Sequence, residues 1–195
     1  MKKVMVIAPH PDDETLGCGG ALLKHKDNGD KIYWLIITSM FTSDGWSTKQ
    51  MKKRNIEIKK VEKLFGFDKS FSLGFNTSQL DMIPMADIIS SMGVVINKIK
   101  PEVIYFPWGN DAHTDHHIVS KATNAFSKWF RYPFIKNIIE YETISETDFN
   151  FVSEQSFKPN MYINISKYFS KKLKIMKLYQ SELQKPGYPR SIEAI

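Results

Sequence analysis

The sequence predicts an α/β fold, a mostly parallel sheet flanked by helices, and three observations carry that prediction. Short apolar runs of strand length, such as Val4–Ala8 and Ile32–Thr38, alternate with segments of helical period. The first run ends at once in a turn of histidine and acids, and the second in a polar stretch. Loops at the carboxyl ends of strands are where open α/β sheets bind ligands.

Taken in order, Val4–Ala8 is a buried strand, and the Pro9–Glu14 loop leads into a helix over Thr15–Asp27 that Asn28-Gly29 stops. Ile32–Thr38, with a Tyr, a Trp and three isoleucines, is a second strand. The polar stretch Ser39–Ser47 lies at the same mouth as the first loop, since both follow strand ends. A helix over Lys49–Leu64 ends before Gly66, and Ser70–Leu73 is a short strand. Met85–Ile99 is a helix closed by Pro101, Glu102–Phe106 a strand, and the Pro107–Ala112 loop opens a helix near His113. Beyond Tyr132 the pattern predicts strands at Ile138–Ile144 and Met161–Ile165 and a long helix over Lys167–Leu183.

With 195 residues the expectation is one domain over 1–195. Its longest apolar runs fall far short of the roughly 20 residues of a membrane-spanning helix, so no membrane span is expected. The basic start Met1-Lys2-Lys3 is followed by an apolar run that Pro9 and His10 interrupt, which is too short for a signal-peptide core. A lone cysteine, Cys18, fits a reducing compartment, so a cytoplasmic location is expected, and it excludes a cysteine-built zinc site. The net charge of +6 comes from scattered lysines with no nucleic-acid motif beside them. The densest run, Lys167–Lys177, reads as the solvated face of an amphipathic helix, so no nucleic-acid partner is expected. Monomer and homo-oligomer both remain open.

Two clusters carry chemistry. The first is His10-Pro11-Asp12-Asp13-Glu14, a histidine held between two prolines and followed by three acids. Consecutive carboxylates repel unless something positive sits among them, and a divalent cation would serve; capping the next helix accounts for one acid only. The second is Asp111-Ala112-His113-Thr114-Asp115-His116-His117, which puts three of the five histidines within five positions at a helix start. Two histidines and a carboxylate form a common catalytic zinc set that leaves a position for water, and the same set suits Fe2+. Spacing does not separate Asp12 from Asp13, or His116 from His117. Gly17-Cys18-Gly19-Gly20 reads as close packing of a helix on the sheet rather than as a phosphate loop, with Cys18 a small core residue.

A strand ending in Ala-Pro-His-Pro-Asp-Asp-Glu-Thr-Leu-Gly, residues 8–17, paired with His113-Thr114-Asp115-His116, resembles the PIG-L/LmbE-like family of de-N-acetylases. The resemblance runs from Lys3 to about Thr123, with weaker echoes at Arg54-Asn55-Ile56-Glu57 and near the C-terminus. It implies a Rossmann-like fold and zinc-dependent removal of acetyl groups from substrates containing N-acetylglucosamine, so the partner expected is a small amino-sugar molecule. By the same resemblance His10, Asp13 and His116 hold the metal, Asp12 is the general base, and His113 stabilises the oxyanion or protonates the leaving amine. Asp115 orients His113. Arg54 reaches the substrate in that reading, with a solvated helix face as its alternative, and Trp108 is a candidate for stacking on the sugar.

Two departures stand out. Where members carry an acid after a Leu-Gly pair to bind sugar hydroxyls, this chain reads Leu73-Gly74-Phe75-Asn76-Thr77-Ser78. Members also continue past the position of Ile195, so a C-terminal closing segment is expected to be missing. The competing functions are an amidase of the same fold acting on another acyl amide or a thiol conjugate, and a basic binding module with a structural metal. Structural zinc sites are closed by four protein ligands, and only three are in view here, which favours catalysis.

Overall fold

The computed structural model describes residues 1–150 and 156–195. Five parallel strands run in the order β3-β2-β1-β4-β5, where β1 is Lys3–Ala8, β2 Lys31–Ser39, β3 Lys69–Asn76, β4 Val103–Pro107 and β5 Asn137–Tyr141. The helices are α1 (Asp13–Asp27), α2 (Thr48–Phe65), α3 (Met85–Ile99), α4 (Thr114–Asn124) and α5 (Phe169–Met176). The strand order reverses between β1 and β4, and that crevice is where such sheets place ligands.

Burial on both faces explains why the central strands are nearly continuous in apolar residues. Alternate residues feed two cores. Val4, Val6, Ile32, Trp34 and Ile36 face α1, α2 and α5 through Leu22, Val61, Phe65 and Ile175. Met5, Ile7, Leu35 and Ile37 face α3 and α4 through Ile88, Met92, Ile96, Val119 and Phe126. Helix α2 opens with a capping box in which Ser47 and Gln50 satisfy each other's backbone N–H groups, and Gly66 closes it in the left-handed conformation.

Helix α1 lies so close to the sheet that glycine is needed. A Cβ at Gly17 would fall 2.1 Å from Cδ2 of Tyr141 in β5, which bears out close packing on the sheet there, whereas one at Gly20 would fall 2.6 Å from Ile165, which lies outside the sheet. Tyr141 sits under α1 and donates its hydroxyl to Ile7 O at 2.9 Å, tying β5 to the central strand.

Several expectations are corrected. Strand β3 is longer than Ser70–Leu73. It carries an extra residue opposite Ile37, with Gly74 at φ 74°, a bulge that extends pairing to Asn76. Met161–Ile165 forms no strand among the described residues; Ile163 and Ile165 turn inward onto the α1 core while Tyr162 is exposed, so the alternation is present but no ladder accompanies it. The helix expected over Lys167–Leu183 stops at Met176. Tighter turns follow, with Tyr179 N bonded to Met176 O and Glu182 N to Tyr179 O, because buried Tyr179 and the ion pairs of Glu182 fix this segment in place. No helix among the described residues is long and apolar enough to cross a membrane.

The glycines give a direct test. Gly17→Ala should destabilise the protein by about 1–3 kcal/mol, the usual cost of overpacking. Gly93→Ala, whose added Cβ would meet Phe126 at an ordinary 3.6 Å in the middle of α3, should instead gain roughly 0.5–1 kcal/mol of helix propensity. Urea unfolding of the two variants checks the opposite signs.

Candidate functional site

The turn after β1 is built around an unusual backbone. Asp12 has φ 143° and ψ −28°, a conformation rare for an L-residue, and Glu14 Oε2 holds it there by accepting its N–H at 3.0 Å. The three acids then diverge. Asp13 turns to the histidines. Asp12 faces a cavity and receives Arg190 Nη1 at 3.2 Å. Glu14 points into the interior, where Thr15 and the hydroxyl of Tyr179, at 2.8 Å, donate to it. Of the three acids only Asp13 is turned to the two histidines; Arg190 meets Asp12, and Glu14 belongs to the core.

The loop after β4 meets this turn across the switch point. Asp13 Oδ2 accepts the backbone N–H of His10 at 2.8 Å and lies 3.3 Å from His10 Nδ1 and 3.4 Å from His116 Nε2. These three side chains offer ligand atoms all within 4.8 Å of one another. The outer nitrogen of each imidazole is held by a further carboxylate: His10 Nε2 donates to Asp115 Oδ2 at 2.9 Å, and His116 Nδ1 to Asp111 Oδ2 at 2.7 Å. Carboxylate-backed imidazoles with the inner nitrogens converging on a third carboxylate are the arrangement that metal-binding histidines adopt, and the set fits a divalent cation. His117 is separate from it, donating Nε2–H to Asp111 O.

Charge follows from this network. Burial opposes protonation of His10, but Asp115 and Asp13 outweigh it and raise its pKa to about 9. His116 is likewise penalised by burial yet raised to about 10 by Asp13 and Asp111. Asp13 is held well below the usual carboxylate range by His116 and His10 despite its burial. His113 goes the other way, down to about 4, through burial and the two neighbouring imidazoles. Burial and Asp13 push Asp12 up to about 7, against the pull of Arg190.

His113 is the N-cap of α4, and its Nδ1 accepts the N–H of Asp115 at 3.1 Å, which leaves Nε2 to carry the ring proton. The carboxylate of Asp115 takes His10 Nε2, Ser78 N at 2.7 Å and Leu80 N at 3.2 Å; it meets His113 through its backbone N–H. A cavity of about 430 Å³ opens above, with His10, Asp12, His113, Arg54 and Arg190 on its wall. Arg54 is only 7% exposed, which overturns its reading as a solvated face: it donates to Glu182 and to Pro11 O and stacks on the Tyr179 ring. Trp108 is not brought to this cavity. Its N–H bonds to Tyr141 O, keeping it on the β5 side of β4, where it is buried edge-on against Phe157 and lines a second cavity.

Three residues of this site carry no role in the sequence reading. Asp111, the partner of His116, opens the quoted second cluster, and its position one turn ahead of the histidines was the available signal. Glu182 and Arg190 have no local pattern; they reach Arg54 and Asp12 across 128 and 178 residues.

Comparison with known proteins agrees with this geometry. Residues 5–127 match the family model described as PIG-L: GlcNAc-PI de-N-acetylase. The chain belongs to the PIG-L family. It is 28% identical over 194 residues to a diacetylchitobiose deacetylase of Thermococcus kodakarensis, covering 93% of this chain and 70% of that protein. It is also 28% identical over 186 residues to the uncharacterized deacetylase YaiS of Escherichia coli, covering 92% of this chain and 91% of the other. The crystal structure of the conserved protein TT1542 from Thermus thermophilus superposes with a TM-score of 0.76 at 23% identity, over 100% of this chain and 84% of that one. The PIG-L match contains both histidine clusters and stops short of Glu182 and Arg190.

Two tests follow for this PIG-L chain. Asp111→Ala removes the group that holds the His116 ring and should weaken divalent-cation affinity about 10- to 100-fold in chelator competition. A cation taken up between His10 and His116 would displace one proton from each, so its affinity should rise with pH. Between pH 6.5 and 7.5, below both raised pKa values, the gain should approach about a hundredfold, with two protons released per ion in weakly buffered solution.

Proposed function

We propose that this protein is a zinc-dependent hydrolase that removes the N-acetyl group from an N-acetylglucosamine-type amino sugar or conjugate. Family membership supports an enzyme acting on an amide bond. The observation that carries the reading is the placement of Asp12 and His113 on the wall of one cavity, directly beside the convergence of His10, Asp13 and His116. His10, Asp13 and His116 would hold the cation. Two imidazoles and one carboxylate suit zinc, and the same set would take Fe2+. The cation supplies Lewis acidity, which makes water more acidic and the amide carbonyl more electrophilic.

The chain's own residues do the rest. Asp12 accepts the proton of the attacking water, and its proximity to Arg190 keeps the carboxylate aimed into the cavity. His113 is neutral at physiological pH, and its Nε2–H is the donor free to stabilise the oxyanion that develops on the amide oxygen. The leaving amine takes the proton that Asp12 has acquired. Asp115 keeps His10 and the start of α4 in register, so its effect on His113 is exerted through the backbone. Arg54, braced by Glu182, closes the wall on the substrate side.

The test is acetate release from a set of N-acetylglucosaminides. Wild-type turnover should stop on chelation and return with zinc. Asp12→Asn should lose at least about a hundredfold in kcat, the low end of what a general base contributes, while still binding one cation. Full activity in chelator, or in Asp12→Asn, would refute the mechanism.

A further inference from the structure

The connection between α4 and β5 turns two large aromatic rings to solvent: Trp129 is 76% exposed and Phe130 64%. Both stand at the tip of a tight turn, closed where Arg131 N and Tyr132 N donate to Lys128 O at 2.9 and 3.0 Å. The base of that turn is anchored. Tyr132 packs edge-on against buried Phe126 and against Phe134, and Ile135 joins the same core. The tip is therefore held away from the core rather than folded back onto it, and an apolar pair displayed in this way marks a surface that meets something else.

The surrounding charge says what that is. From His116 to Ile139 the chain has no acidic residue and four cations, Lys121, Lys128, Arg131 and Lys136, all of them exposed. The cations that form ion pairs with carboxylates among the described residues are others, such as Lys26, Lys53, Lys167 and Arg190. A second copy of this tip is a poor occupant, because a twofold contact would press Lys128 and Arg131 against their own equivalents. Nucleic-acid bases stack on open ring faces. Here the two rings stand at 90° to each other with centroids 6.1 Å apart, and the Arg131 guanidinium lies over Phe130 at 5.9 Å, so the tip is a wedge and not a stacking platform. An anionic bilayer suits both features: aromatic rings settle at the boundary between headgroups and acyl chains, and lysine and arginine are drawn to negative headgroups.

We propose that the turn at 128–132 docks this protein peripherally on an anionic membrane surface, with Trp129 and Phe130 entering the headgroup boundary and Lys121, Lys128, Arg131 and Lys136 facing the headgroups. Asn137 opens β5 opposite Val103, the first residue of β4, so the turn lies at the amino ends of the strands. The cavity beside Asp12 lies at their carboxyl ends. Docking in this way leaves the cavity open to water, and the inference does not depend on what the cavity does.

Cosedimentation of the full chain with phosphatidylcholine vesicles, with and without an equal part of phosphatidylserine, tests it. The wild type should bind the mixed vesicles at least about tenfold tighter than the neutral ones, as several cations near a charged surface imply, and concentrated salt should abolish the preference. Trp129→Ala and, separately, Phe130→Ala should each weaken binding to mixed vesicles about tenfold through the lost apolar contact. Their urea midpoints should match the wild type, since both rings are already exposed. Lipids with brominated acyl chains should quench wild-type fluorescence and lose that added quenching in Trp129→Phe, which places this ring at the contact. No binding to mixed vesicles, binding unchanged in both alanine variants, or quenching unchanged in Trp129→Phe overturns the inference. Tighter binding to a single-stranded oligonucleotide than to mixed vesicles also overturns it, as does a lipid-free dimer that Trp129→Ala dissociates.

Discussion

One carboxylate oxygen organises this molecule. Asp13 Oδ2 is almost completely buried, accepts the backbone N–H of His10, and has an imidazole nitrogen on either side at 3.3 and 3.4 Å. A buried carboxylate is costly unless positive partners or a metal surround it, so the ends of β1 and β4 must come together for the fold to tolerate it. The parallel sheet makes this possible by placing β4 next to β1, with the chain reversing direction of travel at that pair. The site is thus a consequence of strand order as much as of the residues that fill it.

Support for the site comes from the other end of the chain. Arg190 and Glu182 lie in the turns after α5, yet they form the ion pairs that hold Asp12 and Arg54. Tyr179 completes the same structure from beneath, with its hydroxyl on Glu14 and its ring under the Arg54 guanidinium. The candidate ligands and most of the cavity lining come from the part that matches the family model; of that lining only Glu182 and Arg190, which brace Arg54 and Asp12, lie outside the match.

The central sheet and both clusters could be read from the sequence because their signals are local. Val4–Ala8 and Ile32–Thr38 are apolar because both faces of the sheet are covered, and His10 to Glu14 and Asp111 to His117 are dense in chemistry within a few residues. What was not legible depends on partners far away in sequence. Apolar alternation in Met161–Ile165 looks like a strand, but the segment packs on α1 without a ladder. Helical periodicity through Leu183 yields to the ion pairs of Glu182, and Arg54 on an otherwise lysine-rich helix is buried only because Glu182 meets it. Three adjacent acids looked like one ligand set, whereas the backbone at Asp12 sends each to a different neighbour. Trp108, adjacent in sequence to the second cluster, is carried to the β5 side by its backbone bond to Tyr141.

The backbone of Asp12 has a further consequence. Holding an L-residue in a sparsely populated conformation costs about 1–3 kcal/mol, and the buried carboxylate adds to that burden. Glycine would relax the turn and remove the charge together, and on the proposed role of Asp12 the relaxed molecule would be inert. Selection for thermal robustness alone would therefore drift toward discarding the proposed proton acceptor, so any evolution of this scaffold for heat tolerance has to score activity in every round.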